Sequence, residues 1–237
     1  MCGRFSLILP WSDLVALYRI GDRSTPHNLA PRYNIAPTQN VTVVRRAADT
    51  SERELADVRW GLVPSWARDL GIDARMINAR AETVAEKPAF RQALARQRCL
   101  IPADGFYEWQ KRATGPKQPY RITMKDCAPF AFAGLWERWD RSADGKPVES
   151  CTIITTAAND LVRPIHDRMP VILAEADHDA WLDAGGHPTG AVLHMLAPYP
   201  ADEMTALPVG AYVNSVAHDD ARCFEPADAA DSDLFGT

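Results

Sequence analysis

A cysteine follows the initiator methionine directly, in Met1-Cys2-Gly3-Arg4. It is the first group in this chain with chemistry of its own. Cysteine is small enough for ordinary methionine removal, which would leave Cys2 at the mature terminus. That terminus carries an α-amine and a thiol on adjacent carbons, with ordinary pKa values of roughly 8 and 8.5. A 1,2-aminothiol attacks an aldehyde through nitrogen to give a Schiff base, then closes through sulfur to a thiazolidine ring. A lysine makes the first bond but not the ring. Taken alone, a cysteine at position 2 is also open to the plainer reading of an accident of sequence.

Three further residues can move or hold protons. Glu108 lies in Gly105-Phe106-Tyr107-Glu108-Trp109. In a strand, Phe106 and Glu108 share one face, while Tyr107 and Trp109 share the other. A carboxyl among three aromatics is desolvated, which raises its pKa toward acid–base use. The other reading is a solvent-facing edge residue. His166, in Arg163-Pro164-Ile165-His166-Asp167-Arg168-Met169-Pro170, is the one histidine of six flanked by both apolar residues and arginines. A structural role is the alternative there. Asn78 lies in Ile77-Asn78-Ala79-Arg80.

Cys2, Asn78 and His166 each have an arginine two positions on: Arg4, Arg80 and Arg168. In extended chain each guanidinium shares a face with its neighbour. Such a set suits a phosphodiester backbone; coincidence is the alternative. Trp60 and Trp66 bracket Gly61-Leu62-Val63-Pro64-Ser65. Glycine and proline place these indoles at a loop rim, where they can stack on bases, with core packing as the alternative. The polar, proline-punctuated run from Arg32 to Gln39 offers Asn34 and Pro37 for backbone or base contacts.

Strands and turns must position these groups. Eighteen prolines and thirteen glycines cut the chain into short elements. β-rich runs recur at Val41–Arg46, Asp57–Leu62, Cys99–Pro102, Gly105–Gln110, Tyr120–Met124, Phe130–Trp136, Cys151–Ala157 and Val171–Leu173. Helices are expected from a Ser12 cap to Tyr18, over Ala89–Gln97 behind Pro88 with Phe90 and Leu94 on one face, over Ala176–Ala184, and at Ala201–Ala206. Asp140–Pro147, with its Asp144-Gly145 signal, reads as a hairpin loop. The pattern predicts α+β: one domain built on a curved, mostly antiparallel sheet or open β-barrel, flanked by short helices. It extends over residues 2–218, with an acidic, solvated tail over 219–237.

The chain has 237 residues, 46% of them hydrophobic, enough for one large domain. It shows neither a leader nor a membrane-length apolar run, so a soluble, cytoplasmic protein is expected. Five widely spaced cysteines without a CxxC argue against a disulfide framework and a zinc site. A net charge of −5 disfavours generic duplex-DNA binding, so nucleic-acid contact needs a local basic patch.

Together with Met1–Phe5, Tyr33–Pro37, Trp60–Trp66, Asn78–Thr83, Arg98–Pro102, Gly105–Trp109, Phe132–Trp136, Thr152–Asn159 and His166–Pro170, the chain resembles the SRAP family, the abasic-site-processing proteins formerly called SOS-response-associated peptidases. The likeness runs in order from Cys2 to about Leu173 and continues more loosely through Val213-Asn214-Ser215. It implies a mature Cys2 that crosslinks to abasic sites in single-stranded DNA as a thiazolidine, shielding the lesion. Asn78, Glu108 and His166 fall on active-site positions. Arg4, Arg80 and Arg168 fall on DNA-contacting segments, as do Trp60 and Trp66. No metal or organic cofactor is implied. A monomer, associated with the nucleoid when bound to DNA, is expected.

By this resemblance Glu108 opens the sugar to its aldehyde, His166 moves protons near C1′ or the 3′ phosphate, and Asn78 holds the Cys2 amine or carbonyl. Self-removal of Met1 and weak lyase activity are side expectations. Two other functions compete. Met1-Cys2-Gly3 also opens N-terminal-nucleophile amidohydrolases, where the α-amine is the base for the thiol. A noncatalytic single-strand-binding module, with Cys2 incidental, is the second.

Overall fold

The computed structural model describes residues 2–21, 29–47, 52–141 and 145–227. Its strands in the first half of the chain are β1 (Phe5–Leu7), β2 (Arg32–Ile35), β3 (Asn40–Arg46), β4 (Arg53–Trp60), β5 (Asn78–Arg80) and β6 (Arg98–Ala103). Then come β7 (Gly105–Gln110), β8 (Gln118–Met124), β9 (Phe130–Trp139), β10 (Val148–Ala157), β11 (Arg168–Pro170), β12 (Ile172–Leu173) and β13 (Met204–Pro208). The helices are short: α1 (Trp11–Tyr18), α2 (Arg91–Arg96), α3 (His178–Leu182) and α4 (Thr189–Val192).

The expected α+β architecture is present, with one difference: the barrel is closed. β3 pairs antiparallel with β4 and β6, β6 with β9, and β9 with β10. β10 then returns to β4 through a short parallel contact, Ser150 opposite Arg59 and Cys151 opposite Trp60. Closure follows from the length of β10. Its first half serves β9 and β4, and its second half carries β5 and β11. Gly134 makes room inside the barrel, because a Cβ there would lie 2.8 Å from Cys99 Sγ and 2.9 Å from Ile101 Cδ1.

A second sheet, in the order β13-β8-β7-β1-β2, lies against the barrel. Aromatic rings join the two. Phe132 of β9 meets Phe5 of β1 and Phe106 of β7 edge-on at 5.7 and 6.1 Å. Such pairs add to the burial of their large apolar area. This packing fixes β1 and β7, and with them the chain start and Glu108.

Several local expectations are corrected. Pro10, not Ser12, holds the cap position of α1. Its φ of −69° and extended ψ set the entry angle, and the Ser12 hydroxyl donates to Asp13 instead. The helix behind Pro88 begins only at Arg91, though Phe90 and Leu94 are both buried as expected. Ala176–Ala184 splits into a 3-10 turn, Glu175–Asp177, and α3. Ala201–Ala206 is a 3-10 turn running into β13, which pairs with β8 throughout. The β9–β10 pairing of Trp139 with Val148 makes the expected hairpin, whose Asp144 lies outside the described residues.

The start of the acidic tail is also corrected. Asp219 accepts hydrogen bonds from the main-chain N–H groups of Tyr33 (2.6 Å) and Asn34 (2.9 Å) and pairs with Arg32. Residues 221–224 form a 3-10 turn that buries Cys223, and Pro226 bridges to Val209. The charge of Asp219 therefore anchors β2, while Asp220 caps the 221–224 turn and pairs with Arg222. Residues 228–237 lie outside the described residues.

Candidate active site

The β1–β7 ladder carries Cys2 to Glu108. Phe5 faces Phe106, Ser6 faces Gly105, and the Tyr107 N–H donates to the Arg4 carbonyl at 3.0 Å. Continuing that antiparallel register sets position 3 opposite Glu108. Cys2 is fully buried, with its Sγ 3.9 Å from the Arg4 carbonyl oxygen. Burial raises its thiol pKa far above the ordinary value, and the neighbouring Glu108 charge raises it further.

Glu108 is 3% exposed, on β7 opposite Tyr120 of β8. Desolvation pushes its carboxyl up to about 7, against the opposing pull of the amino-terminal charge. Of the two sequence readings, the desolvated carboxyl is the one observed. At neutral pH it is divided between acid and base forms, which suits a proton carrier.

His166 reaches the same region through a turn. Its N–H donates to the Val162 carbonyl, and Asn159 accepts from the Val162 N–H to start the turn. Gln110, two residues past Glu108 on β7, donates to the Pro164 carbonyl at 3.0 Å. This bond ties the Glu108 strand to the His166 segment. The Arg168 N–H donates to His166 Nδ1 at 3.0 Å, so Nε2 bears the proton of the neutral ring. Burial lowers the His166 pKa, and the amino-terminal charge adds to that. Asp167 Oδ1 also lies 3.0 Å from Nδ1. That contact serves the imidazolium alone, and the 87% exposed Asp167 is readily screened by water.

Asn78 sits on β5, pairing in parallel with Ile153 of β10. Its Nδ2 donates to the Ile77 carbonyl at 2.9 Å. Its Oδ1 is buried without a partner among the described residues, an acceptor poised for an incoming N–H.

The phosphate and base candidates divide sharply. Arg80 is exposed at the end of β5, and Trp66 is 52% exposed. Trp60 is not at a rim. It is fully buried, meets Phe5 at 5.2 Å, and donates through Nε1 to the Ile77 carbonyl. Gly61, with φ of +138°, turns the chain so that the indole faces inward. Asn34 is fully buried too. Its amide donates to the carbonyls of Val213, Ser215 and His218 and accepts from Arg4, leaving nothing for DNA. Arg4 is committed to Asn34, Val213 and Asn214. It fastens the 213–214 segment rather than facing a strand. Pro37 is half-buried in the turn after β2. Arg168 is paired with Glu82 and with the Thr155 carbonyl.

Sequence reasoning missed an open cleft of about 470 Å³ beside Cys2, lined by Gly3, Arg4, Trp109, Pro116, Lys117 and Asn214. Trp109 is held by its Nε1 bond to Asn214 Oδ1 and by the Arg4 guanidinium 5.6 Å from its ring. Lys117 is exposed, and its charge lowers the pKa of both Glu108 and His166. The alternation along β7, with Trp109 adjacent to Glu108 on the opposite face, was the available signal for the indole.

Fold and site together define a class: an α+β domain whose chain start lies against a buried, titrating carboxyl. The chain belongs to the SOS response associated peptidase (SRAP) family, whose profile matches residues 1–216. It is similar to the abasic site processing protein YoaM of Bacillus subtilis, 44% identical over 225 residues covering 95% of this chain and 98% of that one. It is also similar to the abasic site processing protein HMCES of Gallus gallus, 34% identical over 264 residues covering 95% and 78%. A crystal structure of a Bacteroides thetaiotaomicron protein matches with a TM-score of 0.85 at 26% identity, covering 96% of this chain and 100% of that one. A Bordetella bronchiseptica structure matches at 0.74 and 32%, covering 88% and 100%.

Proposed function

We propose that this protein captures abasic sites in single-stranded DNA by forming a thiazolidine between the mature Cys2 and the ring-opened sugar. The observation that carries the proposal is the Glu108 carboxyl, buried at the chain start and held at about 7. Protonated, it delivers a proton to the sugar ring oxygen and opens the ring to the aldehyde. The Cys2 amine adds to C1′, and water leaves to give the Schiff base. The thiol then adds to the imine carbon, and its proton passes to nitrogen. One water is released overall, and no group is oxidised or reduced.

The raised thiol pKa supports this order. A neutral thiol is a poor first nucleophile, so nitrogen attacks first and sulfur closes the ring. His166, neutral by its lowered pKa, exchanges protons at the C1′ hydroxyl. Asn78 Oδ1 receives an N–H of the Cys2 amine. Arg80, Trp66, Trp109 and Lys117 are the surface groups suited to the strand. The Schiff base also permits β-elimination, the source of weak lyase activity, and the same site removes Met1. The protein acts as a monomer in the cytoplasm and on the nucleoid. The described residues include no helix long and apolar enough to cross a membrane.

Intact-mass spectrometry with and without an abasic single-stranded oligonucleotide tests the reading. The expected species lacks Met1 and carries the oligonucleotide minus one water. A protein that retains Met1 and forms no adduct would overturn it.

A further inference from the structure

Arg168 has the residue type of a phosphate contact, yet its guanidinium is already occupied by a carboxylate. Nη1 and Nη2 donate to Oε1 and Oε2 of Glu82 at 2.5 and 3.0 Å, and Nη2 also donates to the Thr155 carbonyl at 2.6 Å. The same carbonyl accepts from the Ala81 N–H at 2.8 Å. One atom of β10 thus joins the Arg168 strand to the turn that carries Glu82. The pairing is two-bonded and parallel, the geometry that a guanidinium fork offers equally to carboxylate and phosphate.

The two partners differ in exposure. The Glu82 side chain is 51% exposed and that of Arg168 only 15%. The carboxylate therefore caps the guanidinium from the solvent side, the side from which a strand arrives. Arg80, exposed on β5 just before the turn, adds its positive charge to the same carboxylate.

Resting on the function proposed above, we infer that Glu82 is a specificity-determining residue: its carboxylate stands where a DNA phosphate would bind Arg168, and a strand must displace it. For an undamaged strand the exchange replaces one ion pair by another and yields little net affinity. A strand carrying the lesion is retained by its covalent bond to Cys2 whatever the ionic balance. Glu82 thus lowers standing occupancy on intact single strands, whereas a damaged strand meets the same competition only until its covalent bond has formed.

Fluorescence anisotropy with an intact single-stranded oligonucleotide, in a Cys2→Ala background, tests this. Glu82→Gln should bind roughly three- to tenfold tighter. Its plot of log affinity against log salt should steepen by about 0.7, one more single-strand phosphate neutralised. Glu82→Asp, with the charge on a shorter arm, should fall between Gln and wild type. A residue that merely braced Arg168 would weaken binding when changed and leave the slope alone. Unchanged or weaker binding by Glu82→Gln therefore overturns the inference. Crosslinking by the protein with both Glu82 and Cys2 intact is read on an abasic strand alongside. Its absence would overturn the proposed function instead.

Discussion

The main-chain N–H of Arg168 donates to His166 Nδ1 at 3.0 Å, while the Arg168 side chain reaches back to Thr155 and Glu82. One residue thereby pins the start of β11 to β10 and selects the tautomer of the histidine two positions earlier. This makes Arg168 a candidate for positioning His166 as well as for phosphate contact.

His166→Ala should slow crosslinking at saturating DNA by about a hundredfold or more, the usual contribution of a proton carrier. Arg168→Ala, which frees β11, should slow it by less. The double variant should be no slower than His166→Ala alone, because the arginine acts through the histidine. Single-turnover gel assays separate this from affinity. Additive losses would show that Arg168 contributes to the chemical step independently.

Glu108 makes the pH dependence specific. Its carboxyl is raised from the ordinary 4.5 to about 7, chiefly by desolvation. In its proposed role as the acid that opens the sugar it is needed protonated, so the crosslinking rate should fall as pH rises through about 7. Glu108→Gln should be slow at every pH and lack that falling limb. Stability follows the same sign. The folded state holds this proton more tightly than the unfolded chain, so its stabilising effect is complete below pH 4.5 and is lost as pH rises through 7. The full change is roughly 3 kcal/mol. Urea melts should show Glu108→Gln gaining on wild type by up to that amount at pH 8, relative to their difference at pH 4. A constant difference between the two pH values would contradict the buried, titrating carboxyl.

Where sequence and structure agree, short-range signals decided the matter. β3, β7, β8, β9 and β10 lie where β-branched and aromatic runs lie between turn residues, and Glu108 among aromatics is desolvated as its neighbours suggest. The losses were long-range. β5 and β11 are three-residue strands that exist because β10 is long enough to hold them. The direction of Trp60 depends on the φ of Gly61 and on the distant Ile77 carbonyl. Arg4 and Asn34 have the composition of DNA contacts but are consumed by residues 213–218, some two hundred positions away for Arg4. Asp219 looks like tail by composition, and only the main-chain N–H groups of β2 reveal its anchoring role.

The two tryptophans should separate cleanly. Trp60→Ala removes a fully buried indole and its bond to Ile77. It should cost roughly 3–5 kcal/mol of stability, read by urea or thermal unfolding. Trp66→Ala should leave stability within about 0.5 kcal/mol. Single-strand affinity should fall with an unchanged salt slope, since stacking releases no counterions. Equal destabilisation by both changes would place Trp66 in the core as well.

Cys2 joins a reactive pair of groups to a site that keeps its thiol protonated. The buried thiol, with its raised pKa, should alkylate slowly with iodoacetamide at pH 8, while the exposed Cys127 should be labelled first. Cys2→Ala should abolish the heat-stable crosslink, because it removes the sulfur that closes the ring in the proposed reaction. Cys2→Ser keeps the α-amine and should leave a Schiff base that borohydride traps and heat destroys. A residue retained ahead of Cys2 acylates the amine, so it should eliminate both products although the thiol is still present. The three outcomes are read together on denaturing gels, with and without borohydride. A heat-stable crosslink from Cys2→Ala at the wild-type rate would exclude the thiazolidine. A full crosslink from the extended chain would show that the α-amine is not the attacking group.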